Sequence, residues 1–320
     1  MKIRLPVAIM LVFRYFLLIA QELPVYQQYL LNPNLINPAI TGYGGCTSIL
    51  LTDRHQWIGI PDAPSTQAVG LQKGILIKSG KIHGVGLNLY YDNNGAFRKS
   101  GGDLMYAYHF KINRQRNINI GLGLLISVYQ NSLDESEFTS VYDPIISGGV
   151  TRSLNPDAGA GIFMYNPKFY AGISGLRLMS NSGTLQETER HFYLNSGFFI
   201  KNDKSPFEFE PALLLKLTES FKSQIDINFS TVLNGKYWYT LSYRNNLIPF
   251  PLKSISLLSV FGANIGNFSF AYAFDLGLAS IQMVNYGSHE FMIKYKICQS
   301  ENTAPDCPTY KGLIKRYSIR

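Results

Sequence analysis

The sequence has little charge and no long internal hydrophobic run. Asp, Glu, Lys and Arg make up 16% of its 320 residues, well below the roughly 25% of an ordinary soluble domain. Beyond the N-terminus, no stretch of about 20 apolar residues exists to form a spanning helix. With 46% hydrophobic residues, much of the protein is expected to face something other than water. If it crosses a membrane, it must do so with strands.

Cysteine is also scarce, with Cys46, Cys298 and Cys307 the only three. Cys298 and Cys307 flank a short polar segment, and in an oxidising compartment they could form a disulfide or remain two free thiols. Cys46 is the odd one out. No Cys-x-x-Cys pair, Cys/His cluster or histidine pair has the spacing of a zinc site, so we expect neither a metal nor another cofactor.

The sequence also lacks the motifs of common catalytic sites. It has no Gly-x-Ser-x-Gly elbow for a nucleophilic serine. Gly84-Val85-Gly86 and Gly121-Leu122-Gly123 superficially resemble phosphate loops, but each lacks the third glycine and precedes no helix. We interpret them as lumen-facing or close-packing glycines within strands, and we expect the protein not to be an enzyme.

The N-terminus has the features of an export signal. Lys2 and Arg4 precede the largely apolar run from Leu5 to Ala20, which predicts a signal peptide over residues 1–20, with a membrane-anchoring helix as the alternative. Cleavage after Ala20 would also remove Arg14 and lower the formal net charge from +8 to +5. That excess is too small and too dispersed to indicate nucleic acid binding.

Period-two alternation is the main structural signal. Four aromatic side chains from Phe268 to Phe274 share one face of a strand, and small or polar side chains from Ser269 to Asp275 share the other. A barrel wall that separates lipid from an enclosed lumen requires this pattern. The same rule holds in six other segments, which begin near Val85, Leu104, Ile120, Ile225, Tyr237 and Phe291. The sequence predicts an all-β, transmembrane antiparallel β-barrel.

Turn signals separate these runs, and Asn234-Gly235 is the sharpest because both residues accept the positive φ of a type I′ hairpin. We predict fourteen strands, with twelve or sixteen as alternatives, near residues 47–57, 66–77, 82–92, 102–111, 117–129, 158–165, 168–176, 190–200, 208–217, 223–233, 236–244, 255–264, 267–275 and 289–297. Longer polar connections are expected to be surface loops that contact other molecules, and they are Gln130 to Pro156, Met179 to Glu189 and Leu276 to Ser288.

The predicted organisation has four parts: a signal peptide (1–20), an N-terminal motif segment (21–45), the barrel (46–297) and a periplasmic tail (298–320). Asn32-Pro33 and Asn37-Pro38 stiffen the motif segment in a non-helical form, because proline fixes its own φ and restricts the residue before it. We expect Gln28 to Gly42 to pack against the inner wall or periplasmic mouth of the barrel. Trp57 is expected at the end of the first strand, in an interfacial belt or against this plug.

An ordered series of motifs carries a family resemblance. Gln27 to Pro33 reads QQYLLNP, and it is followed by the LINPA sequence at residues 35–39, RHQWIG at 54–59, APSTQ at 63–67 and GSHE at 287–290. The series resembles the PorP/SprF family of type IX secretion and gliding-motility outer-membrane proteins over nearly the whole mature chain, although the middle matches only in its barrel character. Ile40-Thr41 and the cysteine-bearing tail depart from the family pattern.

The resemblance implies an outer-membrane protein that binds rather than catalyses. It would help to export or surface-display a secreted adhesin, and its partners would be outer-membrane lipid, the adhesin's C-terminal domain and periplasmic type IX or gliding machinery components. The alternative is an outer-membrane channel for small or apolar solutes. The candidate partner or plug residues are Gln28, Tyr29, Asn32, Pro33, Asn37, Pro38, Gly42, Arg54, Gln56, Trp57, Gly59, Ala63, Pro64 and Thr66.

Overall fold

The computed structural model describes most of the chain beyond its N-terminal residues. It covers residues 29, 32–77, 81–137, 149–179, 189–202, 204–220, 222–248, 255–277 and 285–298. The predicted signal peptide and all but the first residue of the predicted tail lie outside the described residues. Within the described part, no helix combines the length and the apolar character needed to cross a membrane.

The strands form one antiparallel sheet that closes on itself. They are β1 Cys46–His55, β2 Ser65–Leu76, β3 Ile82–Asn94, β4 Phe97–Asn113, β5 Ile118–Asp134, β6 Val150–Tyr165, β7 Phe169–Leu176, β8 His191–Phe198, β9 Ile200–Lys201, β10 Phe207–Thr218, β11 Ser223–Leu233, β12 Tyr237–Ile248, β13 Ile255–Ile265, β14 Phe268–Gly277 and β15 Ser288–Cys298. β1 pairs with both β2 and β15, which closes the ring. β9 continues β8 past Phe199, and both segments pair with β10. Because β8 and β9 count as one strand of the wall, the barrel has fourteen strands, as predicted.

Alternation decides which side chains face outward. In β5, Leu124 and Ile126 are 63% and 65% exposed on the outer face, whereas Ser127 and Tyr129 are buried inside. Phe268 and Phe270 of β14 are likewise exposed, and Ala273 is buried. A closed wall with an apolar outer face and a filled interior is the arrangement that spans a lipid bilayer, since every backbone polar group pairs within the ring.

The two ends of the barrel differ in their connections. One end, which we name the turn end, carries the start of β1, the finish of β15 and six connections of two to five residues, at 77–81, 114–117, 166–168, 202–206, 234–236 and 266–267. The opposite end, the loop end, carries the longer connections 56–64, 135–149, 177–190 and 278–287. At the turn end Asn234 and Gly235 have φ of 51° and 66°, which confirms the predicted primed hairpin.

The predicted loop from Gln130 to Pro156 is wrong in its extent. β5 continues to Asp134 and β6 begins at Val150, so the two strands pair at both ends of that segment. Asn131 and Asn155 are buried on the inner face and keep the alternation. The strands extend past the apolar band toward the loop end, where outward positions no longer need to be hydrophobic, so polarity there does not mark a loop.

Of the two alternatives for Cys298 and Cys307, a disulfide or two free thiols, the structure does not agree with the disulfide. Cys46 is disulfide-bonded, and with only three cysteines in the chain no bond between the other two can coexist with it. Cys46 begins β1, and the residue opposite it on β15 is Cys298. Sequence spacing could not find this proximity, because ring closure alone brings the first and last strands together.

The apolar outer face generates a prediction about depth in the membrane. Arginine at Ile126, midway along β5, should destabilise the folded barrel in lipid vesicles by about 2–4 kcal/mol, because its charge must enter hydrocarbon. Ile112, outward-facing near the turn end of β4 and 53% exposed, is the matched control, and Ile112→Arg should cost about 0–1 kcal/mol. Equilibrium unfolding in guanidinium measures both variants, and equal costs would contradict this outer surface.

Candidate functional site

The N-terminal motif segment lies inside the barrel. We name residue 29 and residues 32–45 the plug. Its backbone forms two short 3₁₀ helices, Pro33–Leu35 and Pro38–Ile40, and each begins at a proline, which lacks the N–H that a first turn leaves unpaired. Asn37 caps the second helix, and its side-chain oxygen accepts a hydrogen bond of 2.9 Å from the Ala39 N–H. Asn32 holds the corresponding position before the first helix but makes no side-chain cap bond.

A series of glycines on the inner wall makes room for the plug. A Cβ added to Gly123 would lie 2.1 Å from the backbone nitrogen of Ala39, and one added to Gly84 would lie 1.9 Å from the carbonyl oxygen of Thr41. At Gly161 the same atom would lie 2.1 Å from Oδ1 of Asn37. The plug backbone therefore lies directly against the wall where side chains are missing. This confirms the interpretation of the Gly-x-Gly sequences as close-packing glycines.

Asn37 joins the plug to the wall through its side chain. Its side chain has no exposed surface, and its Nδ2 donates to the carbonyl oxygen of Ile162 on β6 at 3.1 Å. Ser174 on β7 donates its hydroxyl to the carbonyl oxygen of Ile36. Because buried backbone groups without partners are costly, these bonds fix the plug against β6 and β7.

Two further contacts hold the following turn to the other side of the wall. Nε2 of His109 on β4 lies 3.0 Å from the carbonyl oxygen of Thr41. The backbone N–H of Gly42, whose φ is 68°, donates to Oε1 of Gln72 on β2 at 3.3 Å. Gly42 reaches this left-handed conformation at little cost because it has no Cβ.

Aromatic packing fills the space between the plug and β6. The ring of Tyr43 meets that of Tyr165 edge to face at 4.5 Å and that of Phe163 at 5.6 Å between centroids. All three side chains are buried. Such edge-to-face contacts add to the stabilisation that comes from burying apolar area.

Tyr29 ties the start of the plug to the opposite wall. Its ring is buried, and Nδ2 of Asn228 on β11 donates to its hydroxyl at 2.6 Å. Burial raises the pKa of Tyr29 well above its ordinary value, so the phenol stays neutral at physiological pH. The plug thus runs across the lumen from β11 to the β1–β7 side of the wall.

A cavity of about 80 Å³ lies beyond the plug, in the half of the lumen nearer the loop end. Leu35 and Ile36 of the plug line one side of it, and charged wall residues line the other. Two of these form a bidentate pair, because Arg244 donates to the carboxylate of Asp226 at 3.0 Å and 2.8 Å. Pairing of this kind compensates charges that are removed from water.

Arg177 also lines this cavity, and an irregularity of the backbone at the end of β7 places its side chain there. The φ of Arg177 is 58°, and the next residue, Leu178, resumes pairing with Ala158 of β6, so Arg177 occupies a bulge that directs its side chain inward. Its guanidinium donates to the hydroxyl of Tyr90 at 2.9 Å. It also lies 4.2 Å from the ring centroid of Tyr129, within the range of a cation–π contact.

The remaining motif residues lie at the loop end. Arg54 is buried on the inner face of β1 and faces Glu290 of β15 at 4.0 Å. Thr66 donates its hydroxyl to Asp92 at 2.5 Å. Side chains from β1, β2, β3 and β15 therefore close this part of the lumen with paired polar groups.

The connection after β1 forms an apolar projection. β1 ends at His55, so Trp57 lies beyond the strand, with φ of 47° and its N–H 3.3 Å from Oγ of Ser288. The backbone of Ile58 exchanges hydrogen bonds with Gly287 and Tyr286, which joins the two connections on either side of the barrel seam. Ile58 is 41% exposed and Tyr286 is 77% exposed. We name Trp57, Ile58 and Tyr286 the apolar rim.

The structure divides the predicted site residues into two groups. Those of the set between residues 29 and 42 belong to the plug. The others lie at the loop end, and they are Arg54, Gln56, Trp57, Gly59, Ala63, Pro64 and Thr66. There the backbone N–H of Gln56 donates to the carbonyl oxygen of Pro64 at 2.9 Å. Gln28 lies outside the described residues. The sequence did not indicate the wall residues that contact the plug, His109 and Asn228, or those that line the cavity beside it, Arg177 and Arg244. Each is an isolated polar residue in a strand or bulge, and only the ring geometry reveals its partner.

Charged and metal-ligating side chains are dispersed over the described part of the chain. No three His, Cys, Asp or Glu side chains are grouped there so that they could hold an ion. The buried charges of the lumen instead form pairs across neighbouring strands. This arrangement can hold polypeptide in place and exclude open water.

The closed wall, the apolar outer face and the end-to-end asymmetry define a bacterial outer-membrane β-barrel, with the turn end toward the periplasm. The family described as type IX secretion system membrane protein PorP/SprF matches residues 18–295. The chain therefore belongs to the PorP/SprF family and is an outer-membrane protein of type IX secretion. Comparison with curated protein sequences gives no match.

Solved outer-membrane proteins resemble the chain in structure. The CymD monoaromatic hydrocarbon channel has a TM-score of 0.53 at 10% identity, over 88% of this chain and 95% of that chain. Omp33 of Acinetobacter baumannii has a TM-score of 0.43 at 6% identity, over 80% and 100% of the two chains. The sequence identity is low, so the likeness to CymD supports the barrel fold alone.

The glycine contacts predict how the plug can be displaced. Gly123→Val places carbon atoms where the Ala39 backbone lies, so the plug should leave the wall while the barrel still folds. The motif segment should then become sensitive to protease, and ion conductance should appear in planar bilayers. Gly102→Val is the control, because its Cβ would meet the flexible end of Leu89 at 3.1 Å and the Asn88 carbonyl oxygen at an ordinary contact distance of 3.6 Å, and no atom of the plug within 4 Å. Unchanged protease resistance in Gly123→Val would contradict the seating of the plug.

The contacts of Asn37 predict a second effect. Asn37→Ala removes the bond to Ile162 and the cap on Ala39, and it should weaken seating of the plug by about 1–3 kcal/mol. Amide hydrogen exchange of residues 38–42, followed by mass spectrometry, measures this as faster exchange. Asn34→Ala is the matched control, because the equally buried Oδ1 of Asn34 has no hydrogen-bond partner among the described residues. Equal effects in both variants would contradict the role of Asn37.

Proposed function

We propose that this barrel is a non-enzymatic docking component of the type IX machinery. It binds the C-terminal domain of a secreted adhesin at the cell surface and helps to export or display that adhesin. Periplasmic components of the secretion or gliding machinery contact the turn end. Family membership supports a role in type IX secretion, and the specific role as an adhesin receptor is our proposal.

The position of the plug inside the lumen is the observation that best supports a binding function. Its contacts reach from Asn228 on β11 to Gln72 on β2, so folded polypeptide occupies the lumen that a translocation pore would need open. Charged groups beyond the plug are paired with each other, as Arg244 is with Asp226. A filled lumen leaves the rims and loops as the surfaces through which the barrel meets its partners.

The apolar rim supports an extracellular docking surface. Ile58 and Tyr286 are exposed on two neighbouring connections, and two backbone hydrogen bonds join these connections to each other. Below them, the outward-facing side chains of Asp53 and His55 are exposed and hydrogen-bonded at 3.1 Å, as suits polar groups at the boundary of the hydrocarbon. The apolar rim therefore stands outside the membrane interior, where a rigid and exposed hydrophobic group favours a protein contact.

A solute channel is the competing function. The fold likeness to a hydrocarbon channel motivates it, and the filled lumen argues against it. Planar-bilayer recordings and solute uptake into proteoliposomes separate the two. Steady conductance or uptake by the unmodified barrel would favour the channel.

The adhesin proposal predicts a phenotype that depends on the rim. Deletion of the gene should remove a C-terminally processed adhesin from the biotin-labelled surface proteome. Complementation with Ile58→Glu/Tyr286→Glu should resemble the deletion, because two carboxylates replace the apolar contact. Val150→Glu/Thr151→Glu adds the same charge at exposed positions of β6 at the loop end and should restore display. Normal display of the adhesin in the deletion strain would contradict the proposal. Normal display in the rim variant would show that the adhesin docks on a surface other than the apolar rim.

A further inference from the structure

The turn end carries an excess of basic side chains that secretion does not explain. Five of its six turns contain an exposed Lys or Arg. We name these residues the basic collar, and they are Lys81, Arg114, Arg116, Lys168, Lys204 and Lys236. The described residues of the six turns include no Asp or Glu, and Asp203 is the single acidic residue in the complete turn sequences. None of the collar side chains forms an ion pair with a described residue.

At the loop end, three basic residues have acidic partners. Arg98 lies 3.4 Å from Asp134, and Arg190 lies 3.5 Å from Glu219. Lys222 is similarly placed beside a glutamate. On the strands near the turn end, Lys201 also has an acidic partner, Glu208 at 3.1 Å. Positive charge without an acidic partner among the described residues is therefore a feature of the turns that carry the collar.

Two collar residues show the level at which the collar lies. The ammonium of Lys236 is 5.3 Å from the ring centroid of Tyr237, and that of Lys81 is 5.6 Å from that of Tyr108. Both tyrosines belong to the outward face of the wall. Aromatic side chains of this kind lie at the boundary between hydrocarbon and headgroups, so the collar lies at the headgroup level.

The distribution of the collar around the barrel identifies its ligand. The five turns follow β2, β4, β6, β9 and β11, so the charges extend around most of the circumference. A single protein docking from one side would need a one-sided patch, whereas membrane lipid surrounds the barrel. We propose that the basic collar binds the phosphate groups of anionic phospholipids in the leaflet around the turn end. Each Lys or Arg at an anionic membrane surface adds to such binding, and salt screens it.

Native mass spectrometry of the full barrel tests this directly. The protein is purified in detergent micelles that contain equal amounts of phosphatidylglycerol and phosphatidylcholine, and the lipids that remain bound are counted. The wild-type barrel should retain phosphatidylglycerol severalfold over phosphatidylcholine, and this preference should weaken in high salt. Arg114→Gln/Arg116→Gln/Lys204→Gln should bind the two lipids nearly equally.

Matched variants distinguish the collar from net charge. Arg152→Gln/Arg190→Gln/Lys222→Gln removes three positive charges at the loop end and should keep the preference. Arg114→Lys/Arg116→Lys/Lys204→Arg retains the collar charge and should also keep it, and the salt titration of the wild-type barrel needs no variant to fold.

Equal retention of the two lipids by the wild type would overturn the proposal, as would a similar loss in the loop-end control. A collar variant that keeps its lipid preference but loses binding to a purified periplasmic type IX component would also overturn it, and would assign the collar to a protein contact. These outcomes are independent of adhesin display.

Discussion

The structure depends on the close approach of the plug backbone to glycines in the barrel wall. At Gly84, Gly123 and Gly161, atoms of the plug occupy the space that a Cβ would need. The wall and the plug therefore fit together only if these three positions have no side chain. This contact brings Asn37 and Thr41 within reach of the polar groups that hold them. The paired charges of the outer lumen then lie beyond a filled interior rather than along a water-filled pore.

The sequence was sufficient for the fold because the bilayer imposes a simple rule on a one-layer wall. Side chains from Phe268 to Phe274 must alternate between lipid and lumen, and Asn234-Gly235 permits one type of hairpin, so strands and turns were predictable. The rule applies only within hydrocarbon. Beyond it, the ends of β5 and β6 carry polar residues on both faces, and the prediction mistook paired strand for loop.

The contacts of the site were less predictable, because they join residues far apart in the chain. The motifs marked Asn37 and Trp57 as special but did not show that one lies inside the lumen and the other at the loop end. The inward position of Arg177 depends on one left-handed residue, which no local sequence signal indicates. Cys46 meets the last strand only because the ring closes.

Ring closure has a further consequence for how the molecule is assembled. The plug precedes β1 in the chain, and the wall is completed only when β15, the last strand to be synthesised, pairs with β1. The plug, which precedes the wall in the chain, is thus the part that the final strand pairing encloses. The cellular factors that insert this barrel must either close it around an already seated segment or leave its mouth wide enough for that segment to enter afterwards.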